Sequence, residues 1–477
     1  MMQRQRKVLG LASYLIAVGA VALSLGTAGA ATITVNATTD NTTGGDGHCT
    51  LREAIANVNA AADTTGGDCV AGTGAGDAIA FAPMRRAKIQ LALGQLTVAQ
   101  NVTINGPTTA ALKIAGNHAG RVFEITAGST SMSNLTIQRG SAAGSEGGGL
   151  LVDAGANLTL TSCMLKGNKA SGGVGGAISN HGTTTLTKCT IGSNGAGFGG
   201  AGIYNVGTAT VTDSTITRNM GGGLGNFGGT LTMNNSTVIL NKAFDGGGLG
   251  NFGGTATLTN CTLTHNEAFM GAGIDNFGGT ATLTNTTLSL NTATRFGGIF
   301  NSGTVTLTNS TLSNNRSSRS NGGGLFNSGV AGVTNCTISS NRVAKGFGGS
   351  GLYNVGTATL TNTIVANSLA GGNCGGSAIT SGGHNLSSDT TCFTAGGTDQ
   401  VNVDPMLVPL GNFGGPTATL ALCAGAGSPD TSCDGTSPAI DSGDDSVTGP
   451  VNDLSTDQRG EPRLSGRHVD IGAYELQ

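Results

Sequence analysis

Tryptophan is absent from this 477-residue sequence, tyrosine occurs four times and proline nine. So little proline excludes collagen and a proline-rich linker. Charged residues are also scarce, at 10% against roughly 25% in an ordinary domain. With 37% apolar residues, this is not the low-hydrophobicity, high-charge composition of a disordered chain. A net charge of −3, with no basic run beyond the first residues, makes nucleic acid an unexpected partner. What abounds is glycine, 84 residues, about 18% against a usual ~7%. Glycine, threonine, asparagine and serine are poor helix-interior residues, so a helical fold is excluded.

Residues 1–30 read as a secretory signal. Arg4, Arg6 and Lys7 form a basic start, Val8 to Leu25 an apolar stretch, and Ala28-Gly29-Ala30 a small-residue cleavage site. No later segment approaches the ~20 apolar residues of a membrane span. The expected mature chain is therefore exported without a span: secreted or at the cell surface, with the periplasm as the alternative. Ten cysteines suit an oxidising compartment. Six fall in local pairs, Cys49 with Cys69, Cys374 with Cys392 and Cys423 with Cys433, and three disulfides are expected there.

A repeat decides the architecture. Gly247-Gly248-Leu249-Gly250-Asn251-Phe252-Gly253-Gly254-Thr255-Ala256-Thr257-Leu258 recurs almost intact about 25 residues later, and ten copies follow one another between Leu135 and Thr363. Within each copy apolar residues alternate with Thr or Ser, the period-2 pattern of a strand with one buried face. One copy cannot bury that face alone, whereas stacked copies can. Three asparagine columns, passing through Asn251, Asn260 and Asn266, fit amides bonding up a stack. The sequence thus predicts an all-β, right-handed parallel β-helix of about ten coils over residues 96–370. The alternative, a leucine-rich repeat, is disfavoured by the Gly-rich, strand-like second half of each unit. Cys163, Cys189, Cys261 and Cys336 share one inward position and read as small core residues.

The ends differ from the middle. In residues 31–95, Thr50 and Glu53 are spaced as a capping box, and Leu51, Ala54, Ile55 and Val58 share one helical face, so a helix is expected to plug the open stack. Residues 371–477 read as terminal coils and an acidic cap. Cys49-Thr50-Leu51-Arg52-Glu53-Ala54 is similar to the motif of bacterial CSLREA-domain proteins. Asn412-Phe413-Gly414-Gly415-Pro416-Thr417, Asp457-Gln458-Arg459-Gly460-Glu461-Pro462-Arg463 and Asp470-Ile471-Gly472-Ala473-Tyr474-Glu475 resemble the choice-of-anchor Q domain. The Gly-Gly-Ala-Ile at 175–178 resembles polymorphic outer-membrane protein repeats. These resemblances imply an exported, often surface-associated β-helix and no particular reaction.

Two site readings compete. Asp245, Glu267 and Asp275 fall in successive coils and form the only acidic cluster in the repeat suited to cleaving a glycosidic bond, which takes two carboxylates. Tyr204, Phe227, Phe252, Phe277, Phe300, Phe326 and Tyr353 flank one asparagine column, a row about 29 Å long at ~4.8 Å per coil; an exposed apolar row marks an interaction site. Asp441, Asp444 and Asp445 offer hard oxygen ligands for a structural calcium ion, with no other cofactor expected. Taken together, the residues favour a non-catalytic binding or adhesin-like module for polysaccharide or another cell-surface component. A β-helix polysaccharide lyase or glycoside hydrolase is the alternative.

Overall fold

The structure, a computed structural model, describes residues 29–84, 87–108, 112–425, 433, 435–449 and 454–477. All but the last two residues of the signal-like segment lie outside that range. Each coil of the right-handed parallel β-helix contributes three short strands, exemplified by Leu249–Phe252 (sheet I), Thr255–Thr259 (sheet II) and Thr262–Thr264 (sheet III). The sheets hold 12, 14 and 14 strands respectively. Like residues pair in register: Thr255 with Thr280, Leu258 with Leu283. Ala256, Leu258 and Leu263 are wholly buried, whereas Thr255 faces solvent. Coils also precede the recognisable repeat, as at Leu96–Val98, Val102–Asn105 and Leu112–Ala115. Their inward apolar residues match later coils, but their turns lack the Gly-Asn-Phe-Gly signature that makes the repeat visible. Four strands beginning at Glu267–Met270 form a narrow sheet IV between sheets III and I.

Two of the three asparagine columns are buried amide ladders. Asn226 donates to Asn251 (2.8 Å) and Asn251 to Asn276 (2.7 Å), while Asn241, Asn266 and Asn291 link at 3.1 Å per step. The column through Asn235, Asn260 and Asn285 also links amide to amide, at 3.1 and 3.2 Å, but it begins at the exposed Asn235, and its backbone makes a second demand. These residues have φ of 49°, 55° and 51°, the left-handed region that asparagine tolerates better than most residues. Asn367 also lies at such a turn, φ 54°, one position off the ladder that ends at Asn341.

The helix Leu51–Ala60 covers the first coils, with both halves of its capping box formed between Thr50 and Glu53. Arg52 pairs with Asp40 at 2.7 Å and donates to the carbonyls of Gly94 and Gln95. The three expected disulfides are present; Cys163, Cys189, Cys261 and Cys336 are buried thiols.

The C-terminal segment lies along the outer face of sheet III. Gln458 accepts from Thr311 and donates to Thr287, Asn309 donates to the Thr456 carbonyl, and the Ala473 amide donates to Thr337. Val408, Leu422, Ala439 and Ile471 pack on Ile364 and Leu386. At this junction Arg463 is fully buried, donating to Asn309 and to the Gly472 carbonyl. Arg463 thus faces three buried carboxyls, Glu475, Asp457 and Asp470, of which Asp457 is paired with Arg459 at 2.8 Å. Burial, then the charge of Asp470, lifts Glu475 to about 8; burial lifts Asp470 to about 6. A carboxyl with a raised folded pKa binds its proton more tightly in the fold. Its stabilisation is therefore complete below the unfolded value and is lost as pH climbs through about 6 to about 8. The melting temperature is expected to fall between about pH 5 and 8 in calorimetry and to level off above that, and Glu475→Gln is expected to flatten the decline.

Candidate active site

Successive coils set Ser179, Tyr204, Gly225, Gly250, Asp275, Phe300, Phe326 and Tyr353 in one outward column of sheet I. The aromatic row of the sequence is therefore two columns: Tyr204, Phe300, Phe326 and Tyr353 precede the ladder asparagine, and Phe227, Phe252 and Phe277 follow it. Phe252 folds back over the space left by Gly250, where an added Cβ would sit 2.5 Å from the ring; Phe227 does the same over Gly225, at 2.8 Å. One stack therefore runs Tyr204–Phe227–Phe252, with centroids 4.9 and 4.7 Å apart. A second runs Phe300–Phe326–Tyr353, at 5.8 and 5.6 Å, with Phe296 wedged against its first two rings. Between them the column places Asp275 where earlier coils have glycine. With that space filled, Phe277 turns outward and is 58% exposed.

Asp275 is 1% exposed. One oxygen of Asp275 and one of Asp245 are buried without a hydrogen-bond partner. Burial, then the charge of Asp245, pushes Asp275 up to about 7; burial alone raises Asp245. Asp245 lines a cleft of about 550 Å³ together with Phe198, Phe227, Phe244 and Phe252. A buried structural carboxylate of the N-terminal cap is treated differently. Asp77, also buried, accepts from the Ala31 and Thr73 amides and the Thr73 hydroxyl. An interior of low dielectric disfavours two adjacent carboxylates without a cation, so packing gives no reason for this pair.

Glu267 separates from the other two. Its side chain points to solvent from sheet IV and pairs with Lys242 at 2.9 Å, both 59% exposed. The carboxylates proposed for calcium have protein partners: Asp441 accepts from the Arg467 and His468 amides, Asp444 caps the turn at Ser446, and Asp445 bonds His468 and the Val469 amide. Among the described residues no three such groups converge as a metal set. Sequence reading missed two features. Phe198 and Phe244 lie outside the repeat motif and line the cleft. His181, an apparent turn residue, bonds Glu146 at 2.7 Å, and Ser179 donates to the same oxygen at 2.6 Å. Only the fold shows that Glu146 lies on a neighbouring coil.

Residues 88–255, about a third of the chain, match the family model for the right-handed β-helix region. No curated protein matches. Among solved structures, that of pectate lyase Pel9A is similar at 15% identity and a TM-score of 0.36, over 95% of this chain and 98% of that one. At that identity and score the similarity transfers no activity, substrate or residue role. The expectation of a non-catalytic module is corrected on this chain's own residues: Asp245 and Asp275 each keep a buried oxygen without a hydrogen-bond partner, a positive ground for considering catalysis.

Proposed function

We propose that the protein is a polysaccharide-cleaving enzyme of the β-helix type, with Asp245 and Asp275 as its working carboxylates. The observation that carries this is the pair itself: buried Asp275 and half-buried Asp245, each with a buried, unpartnered oxygen, the second lining an aromatic cleft. The two groups titrate together. With Asp275 lifted to about 7, the pair holds a proton near neutrality, as a general acid must to protonate a glycosidic oxygen. Asp245, at the cleft and itself raised by burial, presents the group that meets substrate, and its charge adds to the burial that keeps Asp275 protonated. The aromatic faces provide apolar surface for sugar rings.

The signal-like start and the CSLREA-like and choice-of-anchor Q-like ends support export to the cell surface or beyond, where polysaccharide is met. Wild-type protein incubated with a polysaccharide panel is expected to release reducing ends or unsaturated products. Asp245→Asn is expected to lower that rate by about 100-fold or more. No product from any polysaccharide, or an unchanged rate in Asp245→Asn, would overturn the reading.

A further inference from the structure

The C-terminal segment covers only the later half of sheet III. On the earlier half, four cations come together: Lys88, Lys113, Arg139 and Lys166 line an open groove of about 470 Å³ with Gln138 and Ser193. All four are exposed. Lys88 is register-paired with Lys113, and Lys166 with Gln138, whose neighbour is Arg139. Like charges set side by side across neighbouring strands destabilise a sheet; Lys88 donates to Gln90 at 2.5 Å, but no carboxylate among the described residues offsets the charge. None of the four takes part in an ion pair among the described residues. From residue 88 to 193 the carboxylates are Glu124, Glu146 and Asp153. Glu124 lies in a sheet I strand and Asp153 directly follows one, while Glu146 is held by Ser179 and His181. By contrast, Lys242 two coils beyond Ser193 has its own partner in Glu267. A net-negative chain thus gathers scarce cations on one face and leaves them without counter-charge.

We infer that this groove binds a linear anionic polysaccharide through its carboxylate or sulfate groups. The four cations fall one to a coil over four coils, about 4.8 Å apart along the axis, with Arg139 and Lys166 displaced along the strand from the Lys88–Lys113 column, so an extended polymer meets a positive charge at each coil. No aromatic side chain lines the groove, so it offers a nucleic acid no platform for stacking a base. Being on sheet III, the groove is distinct from the carboxylate pair and rests on charge placement alone, independent of the catalytic reading.

The test is binding of the full chain to immobilised dextran sulfate, neutral dextran and a single-stranded DNA oligonucleotide. Dextran sulfate is expected to bind, with affinity falling steeply as salt rises, and neutral dextran is not. The double variant Lys113→Glu/Lys166→Glu is expected to lose about tenfold or more in affinity, with an unchanged circular dichroism spectrum. Asp275→Asn is expected to bind as wild type, which separates this site from the catalytic one. Three results would overturn the assignment: no dextran sulfate binding by wild type, an equal loss in the distant control Lys345→Glu, or tighter binding of the oligonucleotide than of dextran sulfate.

Discussion

Asp275→Asn is expected to stabilise the protein at pH 8 while removing polysaccharide cleavage. The side chain is enclosed, its oxygen lacks a partner, and its proton affinity is raised by burial and by Asp245. For such an acid the folded state gives up stability as pH rises through the folded value near 7. At about pH 3, below the unfolded carboxylate value, the group is neutral in both the folded and the unfolded wild-type chain, so the unfolding midpoints of the two proteins are expected to lie closest together. At pH 8 the wild type bears a buried charge that the amide lacks, and the variant is expected to be more stable by on the order of 1–3 kcal/mol. Chemical denaturation at the two pH values, with reducing-end assays on the same samples, checks both halves. A variant less stable than wild type at pH 8 would mean that the carboxylate is structural.

The largest loss of stability is expected from the interior ladder. Asn266 donates to the Val238 carbonyl (3.0 Å) and to Asn291 (3.1 Å), and accepts from both the backbone and the side-chain amide of Asn241. Asn266→Ala strands these groups in a wholly buried position, at a cost of about 3–5 kcal/mol. Asn235→Gly, at an exposed left-handed turn that glycine adopts freely, is expected to cost less than about 1 kcal/mol. Urea unfolding midpoints of the two variants would rank them. Similar losses would show that the two columns do the same job.

The contrast between those asparagines marks what the sequence discloses. Period-2 alternation and the 25-residue repeat dictate the stacked parallel coils, because Leu258 and its equivalents have nowhere else to be buried. Recurrence of asparagine is equally visible in all three columns. Spacing alone cannot distinguish an inward amide ladder from a left-handed turn, since both demand asparagine once per coil. The site was legible only in fragments. Asp245 and Asp275 stand out as rare acids in the repeat, but Glu267 looks the same in sequence and is a solvated partner of Lys242. The aromatic row conceals the exchange of Gly250 for Asp275 in one column, which turns Phe277 outward and opens the stack. The docking of Gln458 and Arg463 on sheet III joins residues about 150 positions apart in the chain, beyond the reach of any local pattern.

The functional reading stands on Asp275 being enclosed beside Asp245 with no cation paired to either among the described residues. Titration of ¹³C-labelled aspartate carboxyls by NMR tests it most directly. The account predicts one aspartate titrating near 7 that disappears in Asp275→Asn and moves toward the ordinary carboxylate range in Asp245→Asn. A spectrum in which neither variant removes a resonance titrating above pH 5 would contradict it.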